Sequence, residues 1–219
     1  MRCGGRESGQ AFPAYVAVIA GLLFLAFVYF AVGQAAVLRN GAQTAADAAA
    51  LGAAQDARDQ LREGWLDAIA DPTQWQQFVQ GEGYEPERAC QRAIGFAAAN
   101  GAELLFEDCV PLEFGFTVAV QSKESVGESI VPDTAERRAK ASASAVLEPL
   151  CTFNPSEPSP DPSMEPDPSN TPPAEPEEEE PEPISGLTCG GEAWEVDPED
   201  PVLPGVDVLY RVRLAGDDE

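Results

Sequence analysis

Histidine is absent from the 219 residues, and cations are scarce: 13 Lys and Arg stand against 38 Asp and Glu, a formal net charge of −25. Without an imidazole, the chain's own residues cannot supply Ser-His-Asp or Cys-His catalysis or a His-ligated zinc site. So few cations in so acidic a chain also exclude nucleic acid as a partner, because phosphate-backbone binding draws on clustered Lys and Arg. No CxxC spacing occurs among the five cysteines, so a four-Cys metal site would have to gather scattered residues. Charge of either sign is missing altogether between Glu7 and Arg39.

What fills that uncharged stretch is apolar. Ala11 to Val32 reads AFPAYVAVIAGLLFLAFVYFAV, and at ~1.5 Å per residue ~22 residues cross the ~30 Å hydrocarbon core. The run predicts a transmembrane helix over 11–33, since a buried helix of a soluble domain normally keeps one polar stripe. Pro13 falls in the first turn, where its missing N–H costs little, and Tyr15 and Tyr29 suit the two interfaces. A cleaved signal peptide is the competing reading, with Ala31-Val32-Gly33 before Gln34 as its site. The apolar run is longer than the ~7–15 residues usual for a signal h-region, which favours a retained anchor. Arg2 and Arg6 in the leader, 1–10, against Arg39 beyond the helix place the N-terminus in the cytoplasm and the rest of the chain outside.

With that topology Cys3 is cytoplasmic, and Cys90, Cys109, Cys151 and Cys189 form an even set in an oxidising compartment. Two disulfides are expected. Three connectivities are open, and closure entropy prefers the shortest loops, Cys90 with Cys109 and Cys151 with Cys189.

From Gln34 the chain is rich in alanine, the best helix former, and nothing decisively breaks the pattern before Asp71-Pro72. One long helix is therefore expected to leave the membrane and continue for several turns. Arg39, Gln43 and Asp47 would form a polar stripe beside a small-residue face of Gly41, Ala45 and Ala49. Such faces let backbones approach closely, which nominates these three as helix-packing candidates. The alternative is that the face packs on this protein's own sheet.

The short basic leader, the Gly9-Gln10 junction, the single span and the run Arg39-Asn40-Gly41-Ala42-Gln43-Thr44-Ala45-Ala46-Asp47-Ala48-Ala49-Ala50-Leu51 together resemble TadE/TadG-like proteins of the tight-adherence (Flp) pilus-assembly system, in the form common in actinobacteria. The resemblance covers about residues 8–60. It implies a membrane-anchored, pilin-like or pilus-associated component. Pilin-like members that are processed carry Glu at the fifth mature position, whereas cleavage after Gly9 would put Ala14 there. The anchored, unprocessed TadG-like role fits better.

The region 34–151 reads as an exported α+β domain. Helices are expected at 74–80 and 86–100, then three antiparallel strands at 104–110, 114–120 and 139–147, the last two from strict alternation. A Cys90–Cys109 bond would clip a helix to the sheet edge. The linker 152–183 holds eleven prolines and ten acids and predicts a disordered, extended spacer. Glu177 to Glu180 lack the spaced Asp, Asn and Gly of a calcium loop. Beyond it, 184–219 is a β segment whose alternation from Val206 to Leu214 predicts a strand able to extend the sheet beside 139–147.

No catalytic, cofactor or metal residues are nominated, because 38 acids offer no motif that selects an acid/base pair. The expected function is a non-enzymatic component of a Flp/Tad-type pilus or associated secretion apparatus. Its partners would be pilus-assembly or secretion membrane proteins and the lipid bilayer, with no nucleic acid and no cofactor. The alternative is an envelope-anchored binding or structural protein unrelated to pili.

Overall fold

A computed structural model describes residues 11–104, 106–125, 136–155 and 183–216. Its dominant element is α1, Ala11–Asp67, a single helix of 57 residues, ~86 Å long at the usual rise. Two environments divide it. Up to Gly41 almost every residue is exposed; from Ala42 onward, Ala42, Ala45, Ala46, Ala49, Ala50, Ala53, Ala54, Ala57, Leu61 and Trp65 are all buried. Their spacing of three and four draws one stripe down the helix. Small side chains there let the sheet and a second helix lie close to the α1 axis.

After α1 the chain turns at Asp71, whose carboxylate accepts from the Thr73 amide and caps a 3-10 turn, Pro72–Gln74. The short helix α2, Trp75–Val79, follows. Helix α3, Pro86–Ala99, starts on a proline, as a first turn allows, and is stopped by Gly101 at φ +74°. It crosses α1 at Gly52, where an added Cβ would overlap the ring of Phe96. Gln60 secures the crossing: its carboxamide oxygen accepts from the Glu85 amide at 2.8 Å, and its nitrogen donates to Asp56 at 2.7 Å.

The main sheet is wholly antiparallel. It contains β1 (Ala102–Glu103), β2 (Cys109–Leu112), β3 (Gly115–Ser125), β4 (Arg138–Pro149) and β8 (Tyr210–Leu214). The order is β1-β3-β4-β8, with β2 also on β3. A second sheet, β5 (Cys151–Phe153), β6 (Ile184–Cys189) and β7 (Glu192–Val196), stands beside it. Gly190 and Gly191, at φ +59° and +88°, form the two-residue turn between β6 and β7. One continuous core joins the α1 stripe, α3 and both sheets. In aggregate the chain is α+β, with one long N-terminal apolar helix continuing into an Ala-rich helix and an antiparallel-sheet domain.

Several local expectations need correction. The strand expected at 104–110 is broken by a 3-10 turn, Phe106–Asp108, with only β1 before it and β2 after it. The strand expected from Val206 begins at Tyr210, because Val206–Leu209 forms the helical turn α4. The turn puts Leu209 and Tyr210 both into the core, whereas neighbours on a strand point to opposite faces. Thr152 and Phe153, assigned to the linker, belong to β5, and Phe153 packs 5.0 Å from Trp75. The remainder of the proline-rich linker, 156–182, including Glu177 to Glu180, lies outside the described residues, as do the leader and Cys3.

Candidate interaction surface

Where α1 meets the domain, its wall, apolar except for Gln34 and the Tyr29 hydroxyl, forms one side of a groove of about 690 Å³. Tyr29, Phe30, Gly33, Val37, Leu38 and Gly41 line this side. The opposite wall comes from the α3–β1 turn at Asn100 and Gly101 and from the end of β3 at Ser122, Glu124 and Ser125. Ser122 is buried and fixes that wall: its hydroxyl donates to the Glu124 carbonyl at 2.6 Å and accepts from the Ala139 amide at 2.9 Å. A smaller recess beside α1, about 240 Å³, is bordered by Ala35, Leu38, Arg39, Arg138, Ala139 and Lys140.

The three helix-packing candidates do not share one environment. Ala45 and Ala49 are completely buried inside this domain, whereas Gly41 is exposed and an added Cβ there would meet nothing within 4 Å. The small-residue face is thus shared between the chain's own core and the open groove. The polar stripe beside it ties helix to sheet. Gln43 donates to Asp47 at 2.8 Å and to the Ser142 carbonyl of β4 at 3.3 Å.

The four cysteines form two bonds, Cys90–Cys109 and Cys151–Cys189. The first fastens α3 to β2. The second joins facing residues of β5 and β6, which brackets the linker, and β8 pairs with β4 from Ala145↔Leu214 to Pro149↔Tyr210.

At the end of β3 away from the groove, the β2–β3 hairpin exposes Val110, Leu112 and Phe114, each at 42–50%. Sequence reasoning missed this patch, because Phe114 alternates with buried residues of β3 and reads as core. Its position in the turn, after Glu113 and before Gly115, is what turns it outward.

These features define an α+β domain built on one long helix, whose N-terminal segment is long and apolar enough to cross a membrane. A family described as putative Flp pilus-assembly TadE/G-like matches residues 9–56, which takes in the whole apolar segment and the first part of the buried alanine stripe. The match relates this segment to components of Flp pilus assembly. Comparison with curated proteins and with solved structures gives no match.

Proposed function

We propose that the protein is a non-enzymatic, membrane-anchored component of a Flp/Tad-type pilus or an associated secretion apparatus, acting through an exported domain. The observation that carries this reading is the family match over residues 9–56. It falls on a helix that is exposed and apolar at one end and forms the domain core at the other. In this reading 1–10 is a cytoplasmic leader, 11–33 a retained single span, and 34–151 the exported domain. The segment 152–183 is an acidic spacer, and 184–219 is a β segment that folds with the domain. Arg2 and Arg6 before the span support the orientation. Partners would be pilus-assembly or secretion proteins embedded in the same membrane.

The exposed Val110, Leu112 and Phe114 hairpin favours a second reading, an envelope-anchored binding protein, because it gives the domain an apolar contact of its own. Crosslinking the full chain in membranes and identifying what it retains separates the two. Recovery of the pilus-assembly membrane proteins supports the first; recovery of other envelope proteins alone, lost on Phe114→Ser, supports the second.

A further inference from the structure

The uncharged part of α1 is longer than the bilayer core. Ala11 to Leu38 spans 28 residues without a charge, ~42 Å of helix against a ~30 Å hydrocarbon layer. If Ala11 to Val32 occupies that layer, Arg39 stands ~10 Å above its edge, within the headgroup region. The groove begins lower, at Tyr29, and reaches Ala42, the first α1 residue buried by the domain. It is therefore open to the membrane at one end and roofed by the domain at the other.

Cations border the same level. The recess beside α1 is flanked by Arg39, Arg138 and Lys140 over an apolar floor of Ala35, Leu38 and Ala139. Arg39 and Lys140 make no ion pair among the described residues, while Arg138 reaches Glu103 at 3.4 Å. Several other cations meet the chain's own acids, Arg58 with Asp59, Arg88 with Asp56 and Glu63, and Arg211 with Glu148, whereas Arg92 lies over the Phe96 ring and Lys123 donates to the Ala98 carbonyl. Glu124 on the far wall of the groove and the exposed Glu136 oppose an anion, which assigns the charged contact to the Arg39 side.

We propose that the Arg39 side of this membrane-facing foot is an anionic-phospholipid docking surface: Arg39 and Lys140, over the apolar floor of Ala35, Leu38 and Ala139, hold the headgroup of a lipid in the leaflet from which α1 emerges, and its acyl chains run down α1 below Ala35. The inference rests on the reading of α1 as a membrane anchor. Its consequence is that the domain sits on the bilayer rather than standing off it, which fixes the tilt at which a partner meets it.

The full chain, reconstituted into vesicles of equimolar phosphatidylcholine and phosphatidylglycerol, tests this. The vesicles are first floated, then extracted in mild detergent, and the retained lipids are counted by native mass spectrometry. The expected result is a several-fold enrichment of phosphatidylglycerol over phosphatidylcholine on the wild type. Arg39→Gln with Lys140→Gln should abolish the enrichment. Gly41→Leu, on the opposite side of α1 from Arg39, and Arg211→Gln should each leave the enrichment unchanged. Retention without headgroup preference, or a preference that survives the double substitution, overturns the proposal while leaving the anchor intact. A chain that fails to float with vesicles overturns the anchor as well.

Discussion

The Tyr210 hydroxyl donates a 2.8 Å hydrogen bond to the Phe78 carbonyl, joining residues 132 apart in sequence. Tyr210 opens β8 and is 1% exposed, and Phe78 sits in α2 stacked on Trp65 of α1. The bond therefore fastens the last strand to the end of α1 farthest from the apolar segment. It also explains why the tail docks at one register: β8 is pinned by this phenol at its start and by the β4 ladder along its length.

Replacing Tyr210 with Phe keeps the ring and removes the bond. The Phe78 carbonyl still accepts the Gly81 amide at 2.9 Å, so the loss at neutral pH should be about 1 kcal/mol, the net worth of one hydrogen bond. Burial pushes the Tyr210 phenol well above its ordinary value of 10.0. A raised value means that the unfolded chain releases this proton first, so stability is complete below pH 10 and falls as pH rises beyond it. The slope is about 1.4 kcal/mol per pH unit for one such group. Denaturant midpoints of the detergent-solubilised chain above pH 10 should fall for wild type and fall less steeply for Tyr210→Phe, whose remaining slope includes Tyr84, a phenol that burial also raises. Equal slopes would mean that this phenol ionises without unfolding.

Much of this fold is legible in the sequence because the pattern and the environment agree. The uncharged run, the alanine stripe, the Pro86 and Gly101 bounds of α3, and the alternation of β3 and β4 each have one dominant cause. Legibility fails where two patterns coincide. Val206, Val208 and Tyr210 alternate like a strand, yet the chain turns helical to bury Leu209 beside Tyr210. The second sheet was hidden for another reason. Its first strand, Cys151–Phe153, is separated from its partner by the proline-rich stretch, and only the Gly190-Gly191 pair signalled the hairpin that follows. The foot groove had no sequence signal of its own, since Asn100, Ser122 and Ser125 meet α1 only through the tertiary fold.

Gly52 should be irreplaceable despite lying in a helix, where alanine would gain about 1 kcal/mol of propensity. Its absent Cβ is where Phe96 of α3 lies, with Arg92 over the same ring at 5.4 Å. Gly52→Ala should cost about 1–3 kcal/mol by overpacking. Adding Phe96→Leu should recover part of that cost in a thermal-unfolding double-mutant cycle. Additive losses would show that the two residues do not touch.

Ala45 and Gly41 lie one turn apart on the same nominal face and should respond oppositely to the same change. Leucine at Ala45 has no room in the core, and the expected loss is about 1–3 kcal/mol. A Cβ at Gly41 meets nothing within 4 Å, so leucine there extends into the open groove and should hold or raise the melting temperature through helix propensity. Gln43→Ala breaks the donations to Asp47 and Ser142 at an exposed position and should cost less than the Ala45 change. Equal shifts for Ala45→Leu and Gly41→Leu would mean that the alanine stripe is there for propensity alone.

The bond between Cys151 and Cys189 closes a loop across a sequence separation of 38, and the chain-entropy relation sets an upper bound of ~4 kcal/mol for such a closure. The actual contribution should be smaller, because a stretch with eleven prolines is already restricted before folding. Leu150 marks what the closure secures: its amide donates to Leu209 at 3.0 Å and its carbonyl accepts from Gly190 at 3.3 Å. That one residue connects the tail, the second sheet and the end of β4. Cys151→Ala with Cys189→Ala should therefore lower stability by less than ~4 kcal/mol. It should also speed amide exchange in β5, β6 and β7 more than in β3, whose ladder with β4 does not depend on the closure. Peptide mapping without reduction supplies the direct check on the wild type, and a linked Cys151–Cys189 peptide is expected. Crossed pairing, such as Cys90 with Cys151, would mean that β5 and β6 do not face each other and that the tail reaches β4 by another route.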